Sequence, residues 1–284
     1  MFKNDFRYAL VLLLILPCAV PAKDAILWQT YHRPPGTFNY GEHKGQGFVQ
    51  KTLQMIIERM PEYQHKMPIT TLARAMSDIK AGKHACHPAL YKTPEREKDM
   101  IFSTASMLNP SSRIIAKHKT ISAFIENEQV SLERILQDES LIFGHVLTRS
   151  YGSAIDDVLK QHHNIQNFIS VENLDLSRIF KLIERDRVDA TIAFPFEIQH
   201  YVQNNPDSTG ELVAYPIKNI SAYSTGAIAC PKTPWGKEVI DKINTILKEI
   251  KPTIEFQHAL TVWRESEREN PLFNQYYQEY FLQH

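Results

Sequence analysis

Apolar residues return every three or four positions in several stretches of this chain, and each such stretch predicts an amphipathic helix. They are Val49, Leu53, Ile56, Ile57 and Met60; Leu72, Ala75, Met76 and Ile79; Tyr151, Ile155, Val158 and Leu159; Leu176, Ile179, Phe180 and Ile183; and Val239, Ile243, Ile246, Leu247 and Ile250. Between them lie short apolar runs that read as strands. These are Ile26–Trp28, His84–Leu90, a run opening at Phe102, Arg113–Ala116, Glu139–Gly144 around Leu141-Ile142-Phe143, Phe168–Val171, Arg187–Phe194 and Ser221–Cys230. Ser131 heads a shorter helix through Leu136. Helical stripes alternating with strand-like runs predict an α/β protein.

Local punctuation agrees with this pattern. Thr70 or Thr71 can cap the helix of Leu72, and Gly82 suits its end. Pro94 ends the following strand, leaving Lys92–Arg96 as an exposed polar turn. Ser150 reads as the N-cap of the helix that starts at Tyr151, and as a cap it needs no ligand. Tyr31–Phe38 and Pro231–Gly236 are proline-rich turns, and the aromatic tail around Trp263 is expected to pack as further helix.

Length and charge narrow the class. A chain of 284 residues, 43% hydrophobic, allows one large or two small domains. Lysine plus arginine equals aspartate plus glutamate, 32 of each, so no basic excess argues for nucleic acid. Lys3 and Arg7 precede an apolar run from Tyr8 to Val20, and Val20-Pro21-Ala22 offers small residues for a peptidase. Residues 1–22 therefore read as a signal peptide cleaved after Ala22, the run being short for a membrane span; an uncleaved anchor is the rival reading. Cleavage removes Cys18 and leaves Cys86 and Cys230. In an oxidising compartment these two can pair, or stand as two buried thiols; sequence leaves both open.

The candidate chemistry is sparse. No nucleophile elbow, Walker loop or HExxH is present, and Gly45-Gln46-Gly47 lacks the rest of a dinucleotide fingerprint. His84, Cys86 and His87 cluster, with His162-His163 further on, but no second pair with zinc spacing appears, so neither metal nor cofactor is expected. Arg96 stands out, because a guanidinium fork matches a carboxylate. In open α/β sheets, ligands bind where strands end in such polar turns.

Gly82-Lys83-His84-Ala85, Thr93-Pro94-Glu95-Arg96 and Phe102-Ser103 stand at the spacing of a known signature, and Arg187-Val188-Asp189-Ala190 repeats its Gly-Lys-x-Asp-Ala part imperfectly. On these motifs the chain resembles the family 3 periplasmic solute-binding proteins. The resemblance implies the two-lobed type II periplasmic binding protein fold, each lobe a mixed sheet flanked by helices, with the ligand cleft between lobes. It places lobe 1 at 23–110 and 218–284 and lobe 2 at 111–217. It implies that Arg96 grips a ligand carboxylate, that Ala89 and Tyr91 face the cleft, that Phe38 or Tyr40 supplies an aromatic wall, and that Thr148 and Ser150 lie in a ligand-facing loop. His84 and Val49 replace usual aspartates. More consequentially, Phe194 stands where amino-acid binders carry the aspartate that holds an ammonium; a ring can hold a cation by its face, and Glu197 lies nearby. The expected function is a monomeric periplasmic solute-binding protein that closes on a small carboxylate-bearing solute and presents it to an inner-membrane ABC importer (its permease) or sensor. The alternative is a dehydratase-like periplasmic enzyme on the same scaffold, with Glu197 or His145 as its titratable group. A relative that has lost its ligand is the third reading.

Overall fold

A computed structural model describes residues 23–162, 167–171 and 176–284. The expected signal peptide, with Cys18, and His163 lie outside the described residues. In chain order the elements are β1 (Ala25–Trp28), α1 (Phe48–Ile57), β2 (Gln64–Lys66), α2 (Leu72–Lys80), β3 (Ala85–Leu90), β4 (Met100–Pro110), β5 (Arg113–Lys117), α3 (His118–Ile121), β6 (Ile125–Glu126), β7 (Gln129–Val130) and α4 (Leu132–Gln137). There follow β8 (Phe143–Val146), α5 (Ser153–Gln161), β9 (Phe168–Val171), α6 (Leu176–Glu184), β10 (Ala190–Ala193), α7 (Pro195–Asn204), β11 (Leu212–Pro216), β12 (Tyr223–Pro231), α8 (Pro234–Ile250), α9 (Ile254–Thr261) and α10 (Pro271–Tyr276).

Apart from the antiparallel pair β6-β7, the described strands form two five-stranded mixed sheets, ordered β2-β1-β3-β12-β4 and β11-β5-β10-β8-β9. In the first, β1 runs parallel to β2 and β3 while β12 is antiparallel to β3 and β4. In the second, β8 runs parallel to β10 and β9 while β5 is antiparallel to β10 and β11. The chain crosses from one sheet to the other after β4 and returns between β11 and β12, giving a two-lobed α/β architecture. Both faces of the second sheet are covered. Ile114 and Ala116 enter one apolar layer and Ile115 the other, the period-2 alternation that makes the sequence read as an unbroken apolar run.

Several predicted boundaries move, each for a local reason. The strand expected at Glu139–Gly144 is β8, Phe143–Val146. Asp138 turns the chain by accepting from the Ser140 N–H, and the Ile142 N–H is taken by the Asp189 carboxylate at 2.7 Å. The strand expected from Arg187 begins only at Ala190, because the Arg187 and Val188 N–H groups donate back to the Leu182 carbonyl. Helix α5 begins at Ser153 with Gly152 (φ 97°) at the cap position, so Ser150 is not its N-cap; the Ser150 hydroxyl bonds Asp156 instead. Helix α7 has no forerunner among the predicted elements. Pro195 opens it, and the Glu197 carboxylate accepts the Phe194 N–H at 2.9 Å.

Two further features position the site. The first N–H groups of α1 lack partners within the helix. The Phe48 and Val49 N–H groups donate to the Pro35 and Gly36 carbonyls, which seats the Tyr31–Phe38 loop on the helix. The approach is so close that a Cβ on Gly47 would lie 2.2 Å from the Gly36 oxygen. Cys86 on β3 and Cys230 on β12 form a disulfide between adjacent strands, with Cα atoms 4.4 Å apart, so the pairing left open by sequence is made. The same bond removes the Cys86 thiol from any metal set. His84 bonds Asp24 and stacks on Trp235 at 4.1 Å, and among the described residues no three His, Cys, Asp or Glu side chains gather as a metal site.

Candidate functional site

The site lies where loops of the first lobe meet loops and a helix start of the second. Arg96 follows β3 after a polar turn. The Thr93 hydroxyl accepts its N–H, and the single helical turn Arg96–Lys98 brings the guanidinium back beneath the strand end, where Nη1 donates to the Tyr91 carbonyl at 2.9 Å. Arg96 is 9% exposed. Its sequence neighbours do not neutralise it: Lys98 holds Glu95, and Lys92 holds Glu97. Among the described residues no carboxylate forms an ion pair with Arg96, and burial lowers its pKa.

Two more arginines converge from opposite lobes. Arg149, from the loop after β8, donates Nη2 to Glu197 at 2.8 Å, and both side chains are 3% exposed. Burial alone would lower the Arg149 pKa, but the adjacent Glu197 carboxylate outweighs it and the net shift is upward. Arg33, from the proline-rich loop, approaches the other Glu197 oxygen at 3.8 Å, an ion pair across the lobes. The Phe194 ring lies under both cations, 5.3 Å from Arg149 and 5.8 Å from Arg33. Behind them His87 is buried and its pKa falls to about 3, through burial first and then the charges of Arg33 and Arg96.

These groups enclose an inner cavity of about 40 Å³, which Ala89, Tyr91, Arg96 and Asn109 line from one lobe and Arg149, Ser150 and Phe194 from the other. Asn109 keeps a buried side-chain oxygen without a hydrogen-bond partner. Tyr31, Arg33 and Leu72 line this cavity and also a larger one of about 860 Å³. The outer chamber is walled by Tyr40, Thr70 and Thr71 on one side and by Thr148, Phe180, Tyr201 and Asn204 on the other. Aromatic packing holds the lobes together beside the cavities. Phe196 meets Phe48 edge-on at 5.2 Å, Tyr91 stacks on Phe194 at 6.2 Å, and Phe38 touches His200 at 5.6 Å.

Comparison with known proteins meets this geometry. The model of the bacterial extracellular solute-binding proteins, family 3, matches residues 28–266. The chain belongs to that family. No curated protein matches the sequence. Among solved structures, this solute-binding protein is similar to an ancestral arginine-binding protein bound to glutamine, at 19% identity and TM-score 0.64, with 84% of this chain and 97% of the other covered. It is similar also to a histidine kinase sensor domain (12% identity, TM-score 0.68, 85% and 96% covered) and to an amino acid ABC transporter substrate-binding protein from Streptococcus pneumoniae bound to L-arginine (16%, 0.66, 87% and 98%). At these identities the likeness concerns the fold. Among the described residues no helix is long and apolar enough to cross a membrane.

Of the residues that sequence proposed for the solute-binding protein, Arg96, Tyr91, Ala89, Ser150 and Phe194 come together on the inner cavity. Thr148 lies on the outer wall at φ 65°, its hydroxyl donating to the Leu147 carbonyl. Phe38 lines neither cavity. Its backbone N–H and carbonyl are held by Gln50, and its ring packs among Trp263, His43 and His200, so Tyr40 takes the outer position. The Phe194 ring faces the protein's own guanidinium groups, and Glu197 is engaged by Arg149, Arg33 and the Phe194 N–H. His145 packs on Phe168 at 4.3 Å and lines neither cavity. Sequence reading missed Arg33, Arg149 and Asn109. The first two stood in loops already singled out, and a cation in each was the available signal.

Proposed function

We propose that this protein binds a small carboxylate-bearing solute between its lobes in the periplasm and presents the closed form to an inner-membrane ABC importer or sensor. On this reading residues 1–22 are a cleaved signal peptide, the first lobe comprises 23–110 and 218–284, the second comprises 111–217, and the mature protein acts as a monomer. One observation carries the reading. Arg96 is a buried guanidinium facing a cavity between the lobes, and among the described residues no carboxylate forms an ion pair with it, although the charge of Asp156 is felt there. A desolvated cation without a direct counter-ion is costly, and a ligand carboxylate in a bidentate fork relieves that cost. Closure of two lobes about such a ligand is the corresponding motion.

The test is a thermal-shift and calorimetry screen of the mature protein against amino acids, organic acids and peptides. A ligand at a hundred times its Kd adds about 2.7 kcal/mol of stability. Arg96→Ala is expected to abolish the shift for acidic ligands while leaving the unliganded protein folded. Undiminished binding by that variant overturns the assignment.

A further inference from the structure

We infer that the ligand is a short peptide held by its C-terminal carboxylate, with its body in the outer chamber, rather than a free amino acid; this rests on the carboxylate role proposed for Arg96. Size is the first argument. The inner cavity, about 40 Å³, is a small fraction of the space beside it, so a ligand anchored at Arg96 has most of its room beyond the inner cavity. The outer chamber of about 860 Å³ falls in the range of sites that engulf extended small molecules, roughly 300–1,000 Å³. Tyr31, Arg33 and Leu72 belong to both walls, so a molecule anchored at Arg96 extends directly into the larger space.

Charge is the second argument. A free amino acid brings an ammonium group beside its carboxylate. Among the described residues lining the inner cavity there is no aspartate or glutamate, while three are arginines, and Phe194 fills the wall. An ammonium placed there meets cations. The C-terminal residue of a peptide brings a neutral amide N–H instead, which needs only a neutral acceptor. Asn109, on the same wall, has a buried oxygen without a partner. The outer chamber is lined by the exposed ring of Tyr40, by the largely buried Phe180 and Tyr201, and by the hydroxyls and amide of Thr70, Thr71 and Asn204. Arg33 and Glu197, its charged lining residues, face each other at 3.8 Å. That wall suits amides and apolar side groups, and a peptide lying along it carries its own N-terminal ammonium away from the arginines of the inner cavity.

Calorimetry with matched probes tests the inference: free amino acids, their N-acetyl derivatives, and a randomised tripeptide pool as free acid and as C-terminal amide. The free-acid pool is expected to bind at least about tenfold tighter than the N-acetyl amino acids, and these tighter than the free amino acids. Amidation is expected to weaken the pool by about tenfold or more, the loss of a charge-assisted contact. Ala73→Trp, at an exposed position on the outer chamber wall, is expected to weaken tripeptides and spare N-acetyl amino acids. Free amino acids binding as tightly as the acid pool, tripeptides failing to bind, or an Ala73→Trp protein that keeps full tripeptide affinity would each overturn the peptide inference and leave the carboxylate role standing. Equal affinity for acid and amide pools would overturn the carboxylate role itself.

Discussion

Glu197 is the residue on which the two lobes are balanced at the site. It accepts from the start of its own helix, neutralises Arg149 at 2.8 Å and draws Arg33 across from the other lobe. Removing one member of a buried ion pair leaves the other charge desolvated and alone, typically a loss of about 3–5 kcal/mol. Glu197→Gln keeps the oxygen that receives the Phe194 N–H, so its expected destabilisation, read by urea unfolding, isolates the charge. The double variant Glu197→Gln with Arg149→Met is expected to recover much of it. His87 makes a separate prediction. Its folded pKa of about 3 lies below the unfolded value of about 6.5, so the unfolded chain binds the extra proton between those values. The associated stability is complete above about pH 6.5 and is lost as pH falls towards 3. Unfolding curves of the parent and His87→Gln across that window are expected to diverge, the variant losing less on acidification. Arg96 was legible because a spaced motif carried it. Arg33 and Arg149 were not, because their meeting depends on which loops the fold brings face to face.

Among the elements, helices with a full apolar stripe were legible and their starts less so. The Thr71 cap on α2 and the Gly82 stop follow from side-chain and backbone chemistry within a few residues. The start of α5 does not, since Asp156, one turn into the helix, captures the Ser150 hydroxyl and the Tyr151 N–H. Helix α7 escaped notice because Ala190–Phe194 reads as a strand to its end and the aromatic pair Phe194 and Phe196 looks like its continuation. Those rings instead leave the second lobe and join the apolar core of the first. The strand β8 shows the converse case. Leu141 and Ile142 are apolar enough for a strand, yet the Asp189 carboxylate, distant in sequence, takes the Ile142 N–H and moves the start to Phe143.

At the scale of the whole molecule, two lobes were legible because the helix–turn–strand unit α2–β3 has a counterpart in α6–β10, each with an imperfect version of one short motif leading into its strand. What closes the lobes was not legible. The contacts Phe48–Phe196, Phe38–His200 and Arg33–Glu197 join residues that nothing in their local sequence relates. The bond between Cys86 and Cys230 spans 144 positions of sequence but lies wholly within one sheet. Everything from Cys86, near the start of β3, to Cys230, near the end of β12, the second sheet included, is thus a covalently closed loop hung from two adjacent strands. A protease that nicks an exposed segment such as the one between α7 and β11 severs the backbone without parting the pieces. Limited digestion is expected to leave one band in a non-reducing denaturing gel and two after reduction, with the nicked protein eluting as an intact molecule under native conditions.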